Sequence, residues 1–265
     1  MNLNERKMLD ILLCLKDSGA LSVKAEFEAE GTRTEELLRL LEIARKADMK
    51  IGLKVGGCEA VRDLIEAKQF GVDYVIAPMV ETEYALSKYA LAINSVFSPL
   101  EQKDVLFLAN IETITTYKNF KTMIRVTNES KNIDGFVLGR VDFVGSLGKP
   151  LDTVDEDYVL THALEVSNST KENNLDFVVG GGVSKQSIPF LKSLNQVHLS
   201  RFETRKIIFE NKALDSINIE KALLDAVHFE LLWLLNKRDF YSLITNEDDK
   251  RIKMLNDRWK ILNES

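Results

Sequence analysis

A parallel (β/α)8 barrel of the TIM type with extra C-terminal helices is the fold this sequence predicts, on three observations. The chain has 265 residues, close to the ~250 usual for one such barrel. Short segments rich in Val, Ile, Leu and Phe alternate with longer stretches of helical spacing, the pattern of parallel strands joined by right-handed crossovers. The early strands carry charge on one face only, as they do when that face looks into an enclosed polar interior.

The elements follow in order. The first strand is read at 21–30 (LSVKAEFEAE), where apolar and charged residues alternate. A helix covers 32–47, with Leu37, Leu38, Leu40, Leu41 and Ala44 at helical intervals and Thr32 or Thr34 as its cap. Residues 49–55 form the second strand and 58–70 a helix ending near Gly71; 72–79 is the third strand, and a helix covers about 83–97. Strand 104–111, helix 115–126 and strand 133–142 continue the alternation. After a loop with Gly145, Gly148 and Pro150 come helix 155–173, a strand over 175–179 that runs into Gly180, Gly181 and Gly182, a short helix near 187–194, and strand 196–202. These are seven strands. Closure needs an eighth, from 206–209 or from the N-terminal segment, and the alternative is an open doubly wound sheet.

The chain, 1–265, reads as one barrel domain, with the catalytic barrel at about 20–210 and a helical segment at about 213–265. Helix 218–236 has a broad apolar face (Leu223, Leu224, Val227, Leu231, Leu232, Leu235), and helix 246–262 is dense in charge. They either cap the barrel or bring subunits together, since an exposed face of that width invites association; a homo-oligomer is expected.

Composition excludes several classes of function. Hydrophobic residues make up 45% and charged residues 29%, and the net charge is −6. That balance argues against nucleic acid or an anionic membrane as partner, because both need a basic face. Cys14 and Cys58 are the only cysteines, too few for a disulfide framework or a CxxC metal pair. The N-terminus lacks a basic stretch followed by an apolar core, and the densest apolar run, 229–235, falls far short of a membrane span. The cytoplasm is the default location.

Strand alternation points to a site. One face of 21–30 carries Lys24, Glu26, Glu28 and Glu30, and the other Val23, Ala25, Phe27 and Ala29. The charged row faces the barrel interior, unless this is a solvated edge strand. In 49–55, Lys50, Gly52 and Lys54 lie opposite Ile51, Leu53 and Val55; Asn110 and Glu112 share a face at the end of their strand, and Asp142 ends another. Active sites of parallel barrels occupy that end, so Glu28, Lys54, Glu112 and Asp142 converge there. Carboxylates without cysteines suit a hard cation, Mg²⁺ or Mn²⁺, rather than zinc. His162, His198 and His228 are read as structural. Gly180–Gly182 with Arg201, Thr204, Arg205 and Lys206 read either as an anion site for a phosphorylated co-substrate or as a tight turn and a solvated basic run.

The segments NIETITTY (110–117) and GFVLGRVDFVGSLG (135–148), preceded by IAPMVETEYAL (76–86), resemble the signature of the HpcH/HpaI aldolase and citrate lyase β-subunit family. The resemblance spans roughly 20–205 and implies a phosphoenolpyruvate/pyruvate-type barrel that makes or breaks carbon–carbon bonds. It implies that Glu112 and Asp142 ligate the divalent metal and that Asn110 is an amide near it. The backbone from Gly139 through Arg140 and Val141 to Asp142 would cradle the carboxylate of a 2-oxo acid. Two positions depart from the family pattern. Lys54 stands where an arginine contacts the enolate oxygen, keeping the charge but losing the planar fork; a Schiff-base role for it would be redundant beside a metal. Gly31 falls where a histidine base is usual, leaving proton transfer to Glu28, Glu30 or a metal-bound water.

The expected activity is a metal-dependent carbon–carbon lyase or aldolase working through a pyruvate-type enolate. It would join or cleave a 2-oxo acid and an aldehyde, phosphorylated and sugar-derived aldehydes included. Alternatives are citrate-lyase-like cleavage of an acyl thioester, and a non-catalytic metal- or ligand-binding barrel.

Overall fold

The computed structural model describes residues 1–263, with side chains through Lys260. Eight strands close into a barrel in chain order: β1 (Ala20–Glu26), β2 (Lys50–Lys54), β3 (Tyr74–Ala77), β4 (Leu106–Ile111), β5 (Gly135–Gly139), β6 (Asp176–Gly180), β7 (Arg201–Glu203) and β8 (Ile207–Glu210). The helices are α1 (Leu3–Asp17), α2 (Thr34–Lys46), α3 (Val61–Phe70), α4 (Glu83–Val96), α5 (Ile114–Ser130), α6 (Arg140–Ser146), α7 (Asp157–Glu172), α8 (Ile188–Asn195) and α9 (Ile219–Asn263).

The α/β barrel expected from the alternation is present, and the eighth strand is the segment expected at 206–209. Strands β1 to β7 pair in parallel. Strand β8 runs antiparallel to both β7 and β1, a departure from an all-parallel barrel. The reason is chain length: residues 204–206 alone join β7 to β8, enough for a hairpin, whereas a parallel return needs a crossover of about a dozen residues or more. The N-terminal segment, the other candidate for closure, is helix α1, capped by a reciprocal Asn2–Glu5 box and burying Met8, Leu12 and Leu15.

Strand 196–202 shortens to Arg201–Glu203, and three other boundaries that differ from the sequence reading shape the site or the C-terminus. Strand β1 stops at Glu26, where the Thr32 amide donates to the Glu26 carbonyl at 3.2 Å and Gly31 takes a φ of +54°, so 27–30 form a turn. Strand β5 stops at Gly139, and Asp142 lies in the first turn of α6. The two expected C-terminal helices are one, α9, because no Gly or Pro interrupts 219–263.

Alternation divides the core. Val23 and Ala25 of β1 face the helices and join the main apolar cluster, while Ile76, Leu108, Val137 and Val178 form a separate cluster within the barrel. Above that apolar layer, toward the C-terminal ends of the strands, the interior turns polar. No helix among the described residues is long and apolar enough to cross a membrane.

Candidate active site

Strand register sets the site. Lys54 pairs across to Glu26 and to Ile76, Asn110 lies opposite Val137, and Gly139 opposite Gly180. Inward positions at that level surround a cavity of about 500 Å³ that includes Lys24, Glu26, Glu28, Lys54, Asn110, Glu112, Asp142, Glu203, Arg205 and, from α9, Glu230. A second groove, of about 570 Å³, lies elsewhere, between α1, α2 and α9; there Glu5 pairs with Arg39 and Glu36 with Lys237.

Glu112 is the hub. Its Oε1 accepts from Lys54 Nζ at 2.8 Å and from Asn110 Nδ2 at 2.5 Å, and its Oε2 accepts from the Met79 amide at 3.0 Å. Met79 turns its amide inward by adopting a φ of +49° just after β3, a backbone role that residue type does not betray. Glu112 is only 2% exposed, so these donors hold a charge that burial alone would not tolerate. Gly139 is required beside it, since a Cβ there would stand 2.8 Å from Glu112 Cγ.

Lys54 also lies 3.3 Å from Glu28 Oε2. Burial acts to lower the Lys54 pKa, but the carboxylates of Glu112, Glu28 and Glu26 outweigh it and hold the ammonium above the ordinary lysine value. It is a fixed cation, not the neutral amine that Schiff-base chemistry needs. A second buried group lies deeper: Lys24 Nζ meets Glu203 Oε1 at 2.5 Å and Glu26 Oε1 at 3.3 Å. Sequence reasoning missed Glu203; its one trace was its place beside Phe202 in β7.

Asp142 makes no hydrogen bond or ion pair among the described residues. Burial, and then the negative charge of Glu112, push its carboxyl above the usual aspartate range, with Lys54 opposing and Glu28 and Glu26 adding to the rise. The oxygens Asn110 Oδ1 and Glu203 Oε2 are buried without partners. An all-oxygen donor set with surplus negative charge and unpartnered oxygens fits a hard divalent cation. Among the described residues no group of three or more His, Cys, Asp or Glu is arranged around one point, so Glu112 and Asp142 would supply two ligands, with water and substrate supplying the others.

The other expected residues separate. Glu30 is engaged by Lys206 and by Arg205 at 3.2 Å, and Lys206 is only 1% exposed. Arg205 borders the cavity, but its charge is met by Glu30 and Glu26. Arg201 does not reach the cavity; it starts β7 and binds Asp176 Oδ2 at 2.5 Å and the Tyr74 ring, at the N-terminal end of the barrel. Strand polarity explains the correction: an inward residue at the start of a strand faces the opposite end from one at its finish. With Arg201 removed, the basic cluster suggested for a phosphorylated co-substrate is not assembled. The Arg140 side chain is fully buried against Asp155, the Gly180 carbonyl at 3.1 Å and the Phe190 ring, so only its backbone borders the site, with Gly139 and Val141. Gly180–Gly182 line the cavity; a Cβ on Gly181 would lie 2.6 Å from the Arg140 nitrogen. His162 and His198 bond main-chain carbonyls.

Comparison with known proteins adds independent findings. A profile of the HpcH/HpaI aldolase/citrate lyase family matches residues 10–181. Similar solved structures include an HpcH/HpaI aldolase from Desulfitobacterium hafniense DCB-2 (13% identity, 74% of this chain and 82% of that chain covered, TM-score 0.59). Another is an HpcH/HpaI aldolase/citrate lyase family protein from Burkholderia cenocepacia J2315 (12%, 74% and 83%, TM-score 0.60). A third is the citrate synthase SbnG (16%, 74% and 81%, TM-score 0.58). No curated protein matches by sequence. At these identities the structural likeness establishes the fold.

Proposed function

The chain belongs to the HpcH/HpaI aldolase/citrate lyase family, and from that premise we propose that it is a divalent-metal-dependent carbon–carbon lyase that acts through the enolate of a pyruvate-like 2-oxo acid. The observation that carries this reading is the convergence of Glu112, Lys54 and Asn110 with the unpartnered carboxyl of Asp142. Glu112 and Asp142 would hold Mg²⁺ or Mn²⁺, which supplies Lewis-acid stabilisation of the enolate when bound. The chain's own groups do the rest. Backbone from Gly139 to Asp142, at the start of α6, receives the substrate carboxylate.

In the cleavage direction a base takes the proton of the 4-hydroxyl and the C3–C4 bond breaks. Its electron pair passes into the 2-oxo group, C4 leaves as an aldehyde, and a proton delivered to C3 completes pyruvate. Lys54 offsets the negative charge that grows on the enolate oxygen. Glu28 is the proton-handling group, since it sits exposed at the cavity mouth within reach of Lys54, whereas Glu30 is held by Lys206 and Arg205.

The test is pyruvate release from a series of 4-hydroxy-2-oxo acids with Mn²⁺, assayed beside acyl-thioester cleavage. Metal-dependent pyruvate release supports the reading; acetate or free thiol as the sole product replaces it with the acyl-thioester alternative.

A further inference from the structure

Barrel order divides the cavity into two sides. Around the ends of β2 and β4 and the start of α6 stand Lys54, Asn110, Glu112 and Asp142, the side that receives the 2-oxo acid. On the other, Lys24 and Glu26 of β1, Glu203 of β7, Arg205 of the β7–β8 connection and Glu230 of α9 border the same space. The mechanism above gives these five no role.

This second side is short of donors. Lys24 Nζ is taken by Glu203 Oε1 at 2.5 Å and by Glu26 Oε1 at 3.3 Å. Arg205 is turned to Glu30, 3.2 Å from its Nε, and stands 3.7 Å from Glu26 Oε2. Glu203 is only 5% exposed, yet its Oε2 has no partner. Gly180 leaves room for this side chain, since a Cβ there would lie 3.0 Å from Glu203 Cγ and Oε1. Half-buried Glu230 makes no hydrogen bond or ion pair among the described residues. Burial pushes its carboxyl above the ordinary glutamate range; Lys206 and Arg205 oppose the rise, and Glu30 and Glu26 add to it. Buried carboxylate oxygens without donors are costly unless a ligand supplies them.

The whole cavity shows the same imbalance. Six carboxylates border it against three cationic side chains, Lys24, Lys54 and Arg205. A divalent cation and the carboxylate of pyruvate together still leave negative charge in excess. A phosphate or carboxylate on the second side would face Glu26, Glu203 and Glu230, so its occupant is not an anion. Nor is it another metal ion, because no three acidic groups among the described residues surround one point. An ammonium carried on the substrate meets both needs, since it brings positive charge and three N–H donors.

We infer that this side is the subsite for the aldehyde partner, and that the partner is an amino aldehyde whose ammonium group is received by Glu203 and Glu230. The inference rests on the lyase reading, in which the enolate carbon of pyruvate bonds to the aldehyde carbon. The ammonium stays outside that bond-making and decides only which aldehyde is held.

The test offers 3-aminopropanal, 3-hydroxypropanal and succinate semialdehyde separately with pyruvate and Mn²⁺, and reads kcat/KM for carbon–carbon bond formation. The amine is expected to lead the hydroxy aldehyde by about tenfold or more, with succinate semialdehyde last. Glu203→Gln and Glu230→Gln, made singly, are expected to raise KM for 3-aminopropanal and to shrink its lead over 3-hydroxypropanal. Deuterium exchange into pyruvate with no aldehyde present reads the enolate step by itself. Exchange accompanied by no use of the amine, or by equal or better use of either other aldehyde, overturns the subsite and leaves the lyase reading standing. A lead for the amine that neither variant reduces overturns it too. No exchange, and no bond formation with any of the three, removes the lyase reading and the subsite together.

Discussion

At the residue scale, Glu112 can be changed with little change of shape. Glu112→Gln removes the charge that Lys54 and Asn110 address, and is expected to lower metal-dependent turnover by about 10²–10³-fold with the fold retained. Steady-state kinetics with Mn²⁺, checked by circular dichroism, measures this. Lys54 yields a second expectation. Because Glu112, Glu28 and Glu26 outweigh burial and hold its ammonium above the ordinary lysine value, borohydride reduction in the presence of pyruvate adds no mass to the protein; a lysine adduct would contradict the assignment. The sequence exposed Glu112, Lys54 and Asn110 because strand alternation and short motifs place them. It concealed the Met79 amide and the Lys24–Glu203 pair, since a positive φ and a contact across 179 positions leave no local trace. Arg201 misled for a related reason: its residue type suggested an anion site, but the register of β7 sends it to the other end of the barrel.

Element boundaries divide in the same way. Helix α3 ends at Gly71 with a φ of +65°, as its glycine announces, whereas α9 passes the expected break at 237–245 because helix-breaking residues are absent there. The anchoring of α9 is pH-sensitive. Burial would raise the Glu36 carboxyl, but hydrogen bonds from Tyr241, Lys237 and the Arg33 amide outweigh it and hold it below the usual glutamate value. A carboxyl lowered in the folded state adds stability above its unfolded pKa and loses that contribution as pH falls through its folded pKa. Glu36→Gln is therefore expected to cost about 1 kcal/mol at neutral pH, the difference from the unaltered chain shrinking as pH falls below the ordinary glutamate value of about 4.3 and disappearing only below the lowered folded one; urea unfolding across pH measures it. Between β5 and α6, Arg140→Ala leaves Asp155 without its buried partner and is expected to cost about 3–5 kcal/mol, read by the same method.

Over the whole molecule, the alternation of strands and helices made the barrel legible, but not its antiparallel closing strand, which depends on a three-residue connection between β7 and β8. The cavity is framed by groups from β1, β2, β4, β7, α6 and α9, so a ligand bound there stabilises the global fold. Mn²⁺ at a hundred times its dissociation constant is expected to add about 2.7 kcal/mol, visible as a rise in thermal midpoint that Glu112→Gln abolishes. The most direct test of the central claim is deuterium exchange into the methyl group of pyruvate, followed by proton NMR in heavy water. Exchange that needs Mn²⁺ or Mg²⁺ and disappears in Glu112→Gln is expected. Exchange at the same rate without metal, or no exchange with either ion, would contradict it.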